Sequence, residues 1–207
     1  MKVILINGSP KEKGCTFTAL SEVAAQLSRN GIETEIFHIG NKPISACIDC
    51  RACKKEGARG CIYSDVNTFA HVARDADGFV FGGPVHYAAI GGALASFMDR
   101  LFFAHGKSFW GRPAAAVVVC RRGGSTAALD QLNKYFTICQ MPIVSSQYWN
   151  MVHGSTPDQT RQDLEGMQTM RVLADNMAWL LNCIEAGKKQ GIHFPKHPDR
   201  VLTNFIR

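Results

Sequence analysis

The chain has 207 residues, 46% of them hydrophobic, with a formal net charge of +6. That length and apolar content suit one well-buried domain rather than two. No apolar run approaches a membrane span, no leader-like segment opens the chain, and no Lys/Arg stripe alternates with aromatics, so the expectation is a cytoplasmic protein that meets neither membrane nor nucleic acid.

Strand-length apolar runs alternate with helix-period segments along the sequence. The pattern predicts a strand at 3–7, an amphipathic helix at 16–29 and a second strand at 33–38. A cysteine-rich loop follows at 45–63, then a helix at 66–74, a buried strand at 78–81 and a helix at 91–103. The remaining expectations are a strand at 114–119, a helix at 129–139, a fifth strand at 143–147 and a long helix at 159–184, opened by Thr156, Pro157 and Asp158. Five strands alternating with helices predict a flavodoxin-like α/β domain over 1–187, a doubly wound parallel sheet of order 2-1-3-4-5 with helices on both faces. The tail at 188–207 contains Pro195 and Pro198 and apolar Val201, Leu202, Phe205 and Ile206, so it is expected to lie across its own domain or a neighbouring subunit.

Four of the eight cysteines, Cys47, Cys50, Cys53 and Cys61, fall in one fifteen-residue stretch. Without a secretory signal, clustered thiols read as a metal or redox site before they read as disulfides. Successive x2 spacings favour an iron–sulfur cluster over zinc, which more often uses two separated knuckles. Unligated thiols and a disulfide remain open alternatives. Lys54, Lys55 and Arg59 stand beside the sulfurs, where cations ease reduction of an anionic centre. Cys120, Cys139 and Cys183 lie in apolar or helical contexts and read as core.

A doubly wound sheet binds ligands beyond the carboxyl ends of its strands, where the strand order reverses. Three loops fall there. The loop at 7–18 lacks the endings of a nucleotide P-loop or a dinucleotide fingerprint, but offers Ser9, Thr16, Thr18, a flexible Gly14 and free helix N–H groups suited to a terminal phosphate. An ordinary helix cap is the plainer alternative. The loop at 82–92 carries two glycines and Pro84, then His86 and Tyr87, so backbone and ring can approach a flat ligand. Tyr87 is the preferred ring contact, and His86 reads first as a packing residue. The loop at 119–126 sets Arg121 and Arg122 before Gly123 and Gly124, placing positive charge and open amides where a reduced flavin's carbonyl edge would dock.

Taken together, Asn-Gly-Ser-Pro with Gly-Cys-Thr at 7–16, the cysteine array, Gly-Pro-Val-His-Tyr at 83–87 and Arg-Arg-Gly-Gly at 121–124 resemble the iron–sulfur flavoproteins, within the NADPH-dependent FMN reductase-like group. Residues 148–150 and the ending 203–207 are also similar, so the resemblance spans the chain. It implies FMN held by Ser9, Gly14, Cys15, Thr16, Phe17 and Thr18 at the phosphate, and by Pro84, Val85, His86, Tyr87, Arg121, Arg122, Gly123 and Gly124 at the ring. It further implies a 4Fe-4S cluster on Cys47, Cys50, Cys53 and Cys61, and a homo-oligomer, a dimer or a tetramer. The function that follows is an FMN oxidoreductase taking electrons from NAD(P)H or an acidic ferredoxin-like donor and passing them to a quinone, another small-molecule acceptor or oxygen. A non-enzymatic electron carrier or redox sensor is the alternative, and a zinc-binding adaptor stands third.

Overall fold

Val3, Ile4, Leu5 and Ile6 are all fully buried, which a strand achieves only when helices cover both faces of its sheet. The computed structural model describes residues 1–198, 201–203 and 205. Its strands are β1 (Lys2–Asn7), β2 (Glu33–His38), β3 (Gly78–His86), β4 (Ala89–Ile90), β5 (Ala114–Cys120) and β6 (Met151–His153). Its α-helices are α1 (Cys15–Arg29), α2 (Ser64–Val72), α3 (Gly92–His105), α4 (Ser125–Ile138), α5 (Pro157–Gln162) and α6 (Leu164–Lys189). The sheet order is β2-β1-β3-β5-β6, all parallel, the expected 2-1-3-4-5 arrangement, with β4 added antiparallel to the end of β3 as a sixth strand.

The period-two alternation of a strand sorts the core into two layers. Val3 and Leu5 point to the face covered by Leu20, Val23 and Leu27 of α1 and Met170, Leu173 and Met177 of α6. Ile4 and Ile6 point to the other, where Phe69 of α2, Phe97 and Leu101 of α3 and Phe136 of α4 pack.

Three expectations are corrected. The stretch 143–147 makes one bridge, Ile143 to Ala114, and the regular fifth parallel strand is β6. Its serines bond to α6 instead of the sheet: the Ser146 hydroxyl donates to the Thr169 carbonyl at 2.6 Å, and the Ser145 carbonyl accepts from Asn176 at 2.8 Å. The long last helix is two helices, broken at Asp163, whose carboxylate accepts the Gly166 N–H at 2.9 Å and the His153 N–H at 2.7 Å. Cys183 is exposed on α6, while Cys120 and Cys139 are buried as expected.

Among the described tail residues, Val201, Leu202 and Phe205 are exposed; Ile206 lies outside the described residues, as do Asn204 and Arg207 of the similar ending. No helix among the described residues is long and apolar enough to cross a membrane.

Past β1 the chain stays close to β3, because the Gly8 N–H donates to the Gly82 carbonyl at 2.8 Å. A β-carbon on Gly8 would lie 2.9 Å from that carbonyl oxygen and 2.6 Å from Leu94. Leu94 has room to yield only within a filled core, so Gly8→Ala is expected to cost about 1–3 kcal/mol in urea unfolding. A wild-type midpoint would contradict this tight approach.

Candidate functional site

The loop from β1 to α1 is stitched by its own polar groups. Fully buried Asn7 donates Nδ2–H to the Glu12 carbonyl at 2.9 Å and accepts the Ser9 N–H at 3.1 Å. The Ser9 hydroxyl accepts the Lys11 N–H at 3.1 Å, and His38 Nε2 donates to the Ser9 carbonyl at 2.8 Å. Gly14 leads into α1 in an extended conformation, and no side chain caps the first turn. The positive end of a fifteen-residue helix is therefore left to an external acceptor.

β3 runs on to His86 because Gly82, Gly83 and Pro84 continue to pair with Val117, Val118 and Val119 of β5. Tyr87 and Ala88 then form a two-residue turn, both left-handed at φ +50° and +59°, and β4 returns against Val85 and His86. Gly124 also has a positive φ, +87°, and a β-carbon there would sit 2.6 Å from Ala88 Cα. The second and third predicted loops thus touch at Ala88 and Gly124, and only glycine permits it.

A cavity of about 210 Å³ opens between these segments. Ser9, Cys15, Thr16, Pro84, Val85, His86 and Arg121 line it. Gly14, just before α1, and Phe17 and Thr18, in its first turn, lie outside the lining, with the Thr18 hydroxyl turned onto the Gly14 carbonyl at 3.2 Å. Tyr87, Arg122, Gly123 and Gly124 lie outside the lining as well, and Tyr87 is fully exposed, so His86 rather than Tyr87 meets the cavity. Pro10, Lys11, Val119, Cys120 and Gly154 line it unforeseen. Burial pushes the Cys120 thiol up, outweighing the Ser125 hydroxyl and Arg122 amide, so this thiol adds no negative charge to the lining at pH 7.

The four clustered cysteines surround a second, smaller hollow. Cys47, Cys50, Cys53 and Cys61 line about 20 Å³ together with Ile48, Ile62, Tyr63, Phe103, Ala104 and Arg100. All four are free thiols, and no three His, Cys, Asp or Glu side chains among the described residues stand in a metal-binding arrangement. Left-handed Asp49 and Arg51 and positive-φ Gly57 and Gly60 fold the loop back on itself. Asn67 of α2 pins its end, accepting the Cys61 N–H at 2.8 Å and donating Nδ2–H to the Cys61 carbonyl at 2.7 Å. His105 of α3 reaches the same Asn67 Oδ1 with Nε2 at 2.9 Å. Since that oxygen is an acceptor, Nε2 carries the proton, and burial aided by Lys54 lowers the pKa of His105, keeping the ring neutral.

Arg100 lies beneath the hollow, its side chain 1% exposed, with Nη1 and Nη2 each donating to Asp65 at 2.5 Å and its guanidinium 5.2 Å from the Tyr63 ring centre. The Arg100 hydrogen bonds hold the Asp65 carboxyl below the usual range against its partial burial. Arg100 is in turn held charged by those bonds first, against burial, with Cys61 adding to the effect. Its Nε–H has no partner. Four soft thiols, an apolar wall and an unspent buried N–H fit an anionic metal–thiolate centre.

A doubly wound sheet with an uncapped helix N-terminus at its strand-order reversal defines a mononucleotide-binding, flavodoxin-like protein. Residues 1–156 match the family described as NADPH-dependent FMN reductase, and the chain belongs to that family. It is 31% identical over 195 residues to an iron-sulfur flavoprotein of Methanocaldococcus jannaschii, covering 89% of this chain and 100% of the relative. The fold is similar to that of FerB, a flavoenzyme NAD(P)H:(acceptor) oxidoreductase of Paracoccus denitrificans, with a TM-score of 0.64 at 16% identity over 88% of this chain and 97% of the other. An archaeal flavodoxin shares it too, with a TM-score of 0.58 at 11% identity over 88% of this chain and 99% of the other.

Two outcomes are expected. Asn67→Ala should speed amide exchange around Cys61 while costing about 1 kcal/mol globally, and unchanged exchange there would show that Asn67 is not the latch. Because Asp65 titrates lower in the folded chain than its ordinary 3.8, its contribution is complete above that value and is lost as pH falls through the folded one. Asp65→Asn should therefore lower stability at neutral pH and flatten the acid limb of urea-unfolding free energy against pH.

Proposed function

We propose that this chain is an FMN-dependent oxidoreductase that carries electrons from NAD(P)H or a ferredoxin-like donor to a quinone, another small oxidant or oxygen. The observation that carries the reading is the uncapped head of α1 beside Ser9 and Thr16, at the cleft where β3 and β5 end. Bound FMN supplies the one- and two-electron chemistry. The cleft volume of about 210 Å³ is below that of pockets enclosing a whole ligand, about 300–1,000 Å³. Ser9, Cys15, Thr16 and the first N–H groups of α1 would therefore hold the phosphate end. Pro84, Val85, His86 and Arg121 would meet the ring, with Tyr87, Arg122, Gly123 and Gly124 at the rim. Arg121 would stabilise negative charge on a reduced ring. Gly14, Phe17 and Thr18 would shape the first turn that presents the amides.

Cys47, Cys50, Cys53 and Cys61 would hold a 4Fe-4S cluster, which supplies one-electron transfer. The iron-sulfur flavoprotein names of relatives support this, as does the convergence of the thiols on one hollow. Arg51, Lys54, Lys55 and Arg59 beside them suit an acidic ferredoxin-like donor. Phe194 of the tail, 188–207, lies against Gly111 of the FMN-binding domain, 1–187, and the exposed apolar Val201, Leu202 and Phe205 beyond it would pack on the same domain or on a neighbouring subunit in a dimer or tetramer. Eight free cysteines support a cytoplasmic setting. The exposure of Cys47 and Cys50 favours, as a second reading, an electron carrier or redox sensor.

The test is the visible spectrum of protein purified without oxygen, with iron, sulfide and FMN assayed on the same sample and NAD(P)H turnover followed with a quinone. Flavin bands with turnover support the enzyme; flavin without turnover supports the carrier; a protein that refuses FMN rejects both. Thr16→Val is expected to weaken FMN binding about tenfold, the worth of one hydrogen bond to a charged phosphate.

A further inference from the structure

Arg100 is the largest fully buried side chain among the described residues, and the flavin cleft does not use it. A clamp between α2 and α3 needs only the two Nη groups that Asp65 already takes. The guanidinium nevertheless lines the same hollow as Cys47, Cys50, Cys53 and Cys61, and its Nε–H is buried without an acceptor. Leaving a charged group's N–H empty inside a protein forfeits its full solvation. The thiols of the hollow are the side chains that would repay it once they act as thiolates.

We propose that Arg100 is a positioning residue for a metal–thiolate centre in this hollow, donating Nε–H to the Cys61 sulfur so that the ligand is fixed and the reduced centre is favoured. This rests on the reading of the four cysteines as cluster ligands. The step concerned is the uptake of one electron from a one-electron reductant such as dithionite, with no bond broken and no proton moved. The reduced centre is one charge more negative, and a fixed cation with an N–H on its sulfur favours that state. Asn67 holds the backbone of Cys61, and Arg100 lines the same hollow as its sulfur.

The experiment is anaerobic loading with iron and sulfide, then titration of the centre's midpoint potential by electron paramagnetic resonance in wild type, Arg100→Lys and Asp65→Asn. Wild type is expected to hold about four irons. Arg100→Lys, which keeps the charge and loses Nε, is expected to make reduction about tenfold less favourable, about 59 mV for one electron. Asp65→Asn weakens the clamp but keeps Nε, and its potential should stay near wild type. An unshifted Arg100→Lys, or equal shifts in both variants, overturns the proposal. An iron-free wild type instead overturns the cluster reading, and the proposal with it. If Arg100→Lys does not fold, the Arg100 Nε–H resonance of wild type decides: a large shift on loading supports the hydrogen bond, and an unmoved signal overturns it.

Discussion

The reversal of strand order at β1 is the constraint on which the structure depends. β1 lies between β2 and β3, so the chain leaves it toward one neighbour through α1 and returns to the other through α2. The two crossovers pack on opposite faces, and the segments beyond β1 and β3 diverge. That divergence opens the cleft at Ser9 and His86, while the bond from Gly8 to Gly82 keeps its base narrow. With polar groups of the first loop spent on one another, the amides at the head of α1 remain the available donors.

The cysteine loop depends on the same topology at one remove. It is inserted between β2 and α2, and side-chain bonds tie it to α2 and α3. Asn67 holds the Cys61 backbone, His105 orients Asn67, Lys54 donates to the Phe103 carbonyl above that ring, and Arg100 lies below the sulfurs. Burying a guanidinium is costly unless it is paired, and Asp65 at the start of α2 pairs it in two places. The loop that carries the thiols is thus held by polar latches from two helices that the aromatic core, Phe69 against Phe97 at 5.7 Å, holds together.

Strand and helix order were legible because buried parallel strands are continuous apolar runs and their crossovers repeat. Misplacement came where polar side chains bond to a neighbouring element: Ser145 and Ser146 are taken by α6, and Asp163 interrupts what periodicity reads as one helix. That displacement also hid Gly154, which lines the cleft just beyond the true fifth strand. That Ser9, Thr16 and the strand-end residues Pro84 to His86 would line one cleft was legible because loop position and residue type coincide. Tyr87 lies outside the cleft lining because a left-handed turn, which sequence does not reveal, swings the tyrosine into solvent. Arg100 carried no sequence signal at all; an arginine on a helix reads as surface until packing buries it.

The most direct measurement is a crystal structure of the protein prepared without oxygen and supplied with FMN, with anomalous scattering recorded at the iron edge. The account predicts flavin density with its phosphate at the head of α1 and its ring beside His86, and iron peaks among Cys47, Cys50, Cys53 and Cys61. Flavin in the cavity of about 780 Å³ between Trp110 and Phe194, at the amino-terminal edge of the sheet, would contradict it.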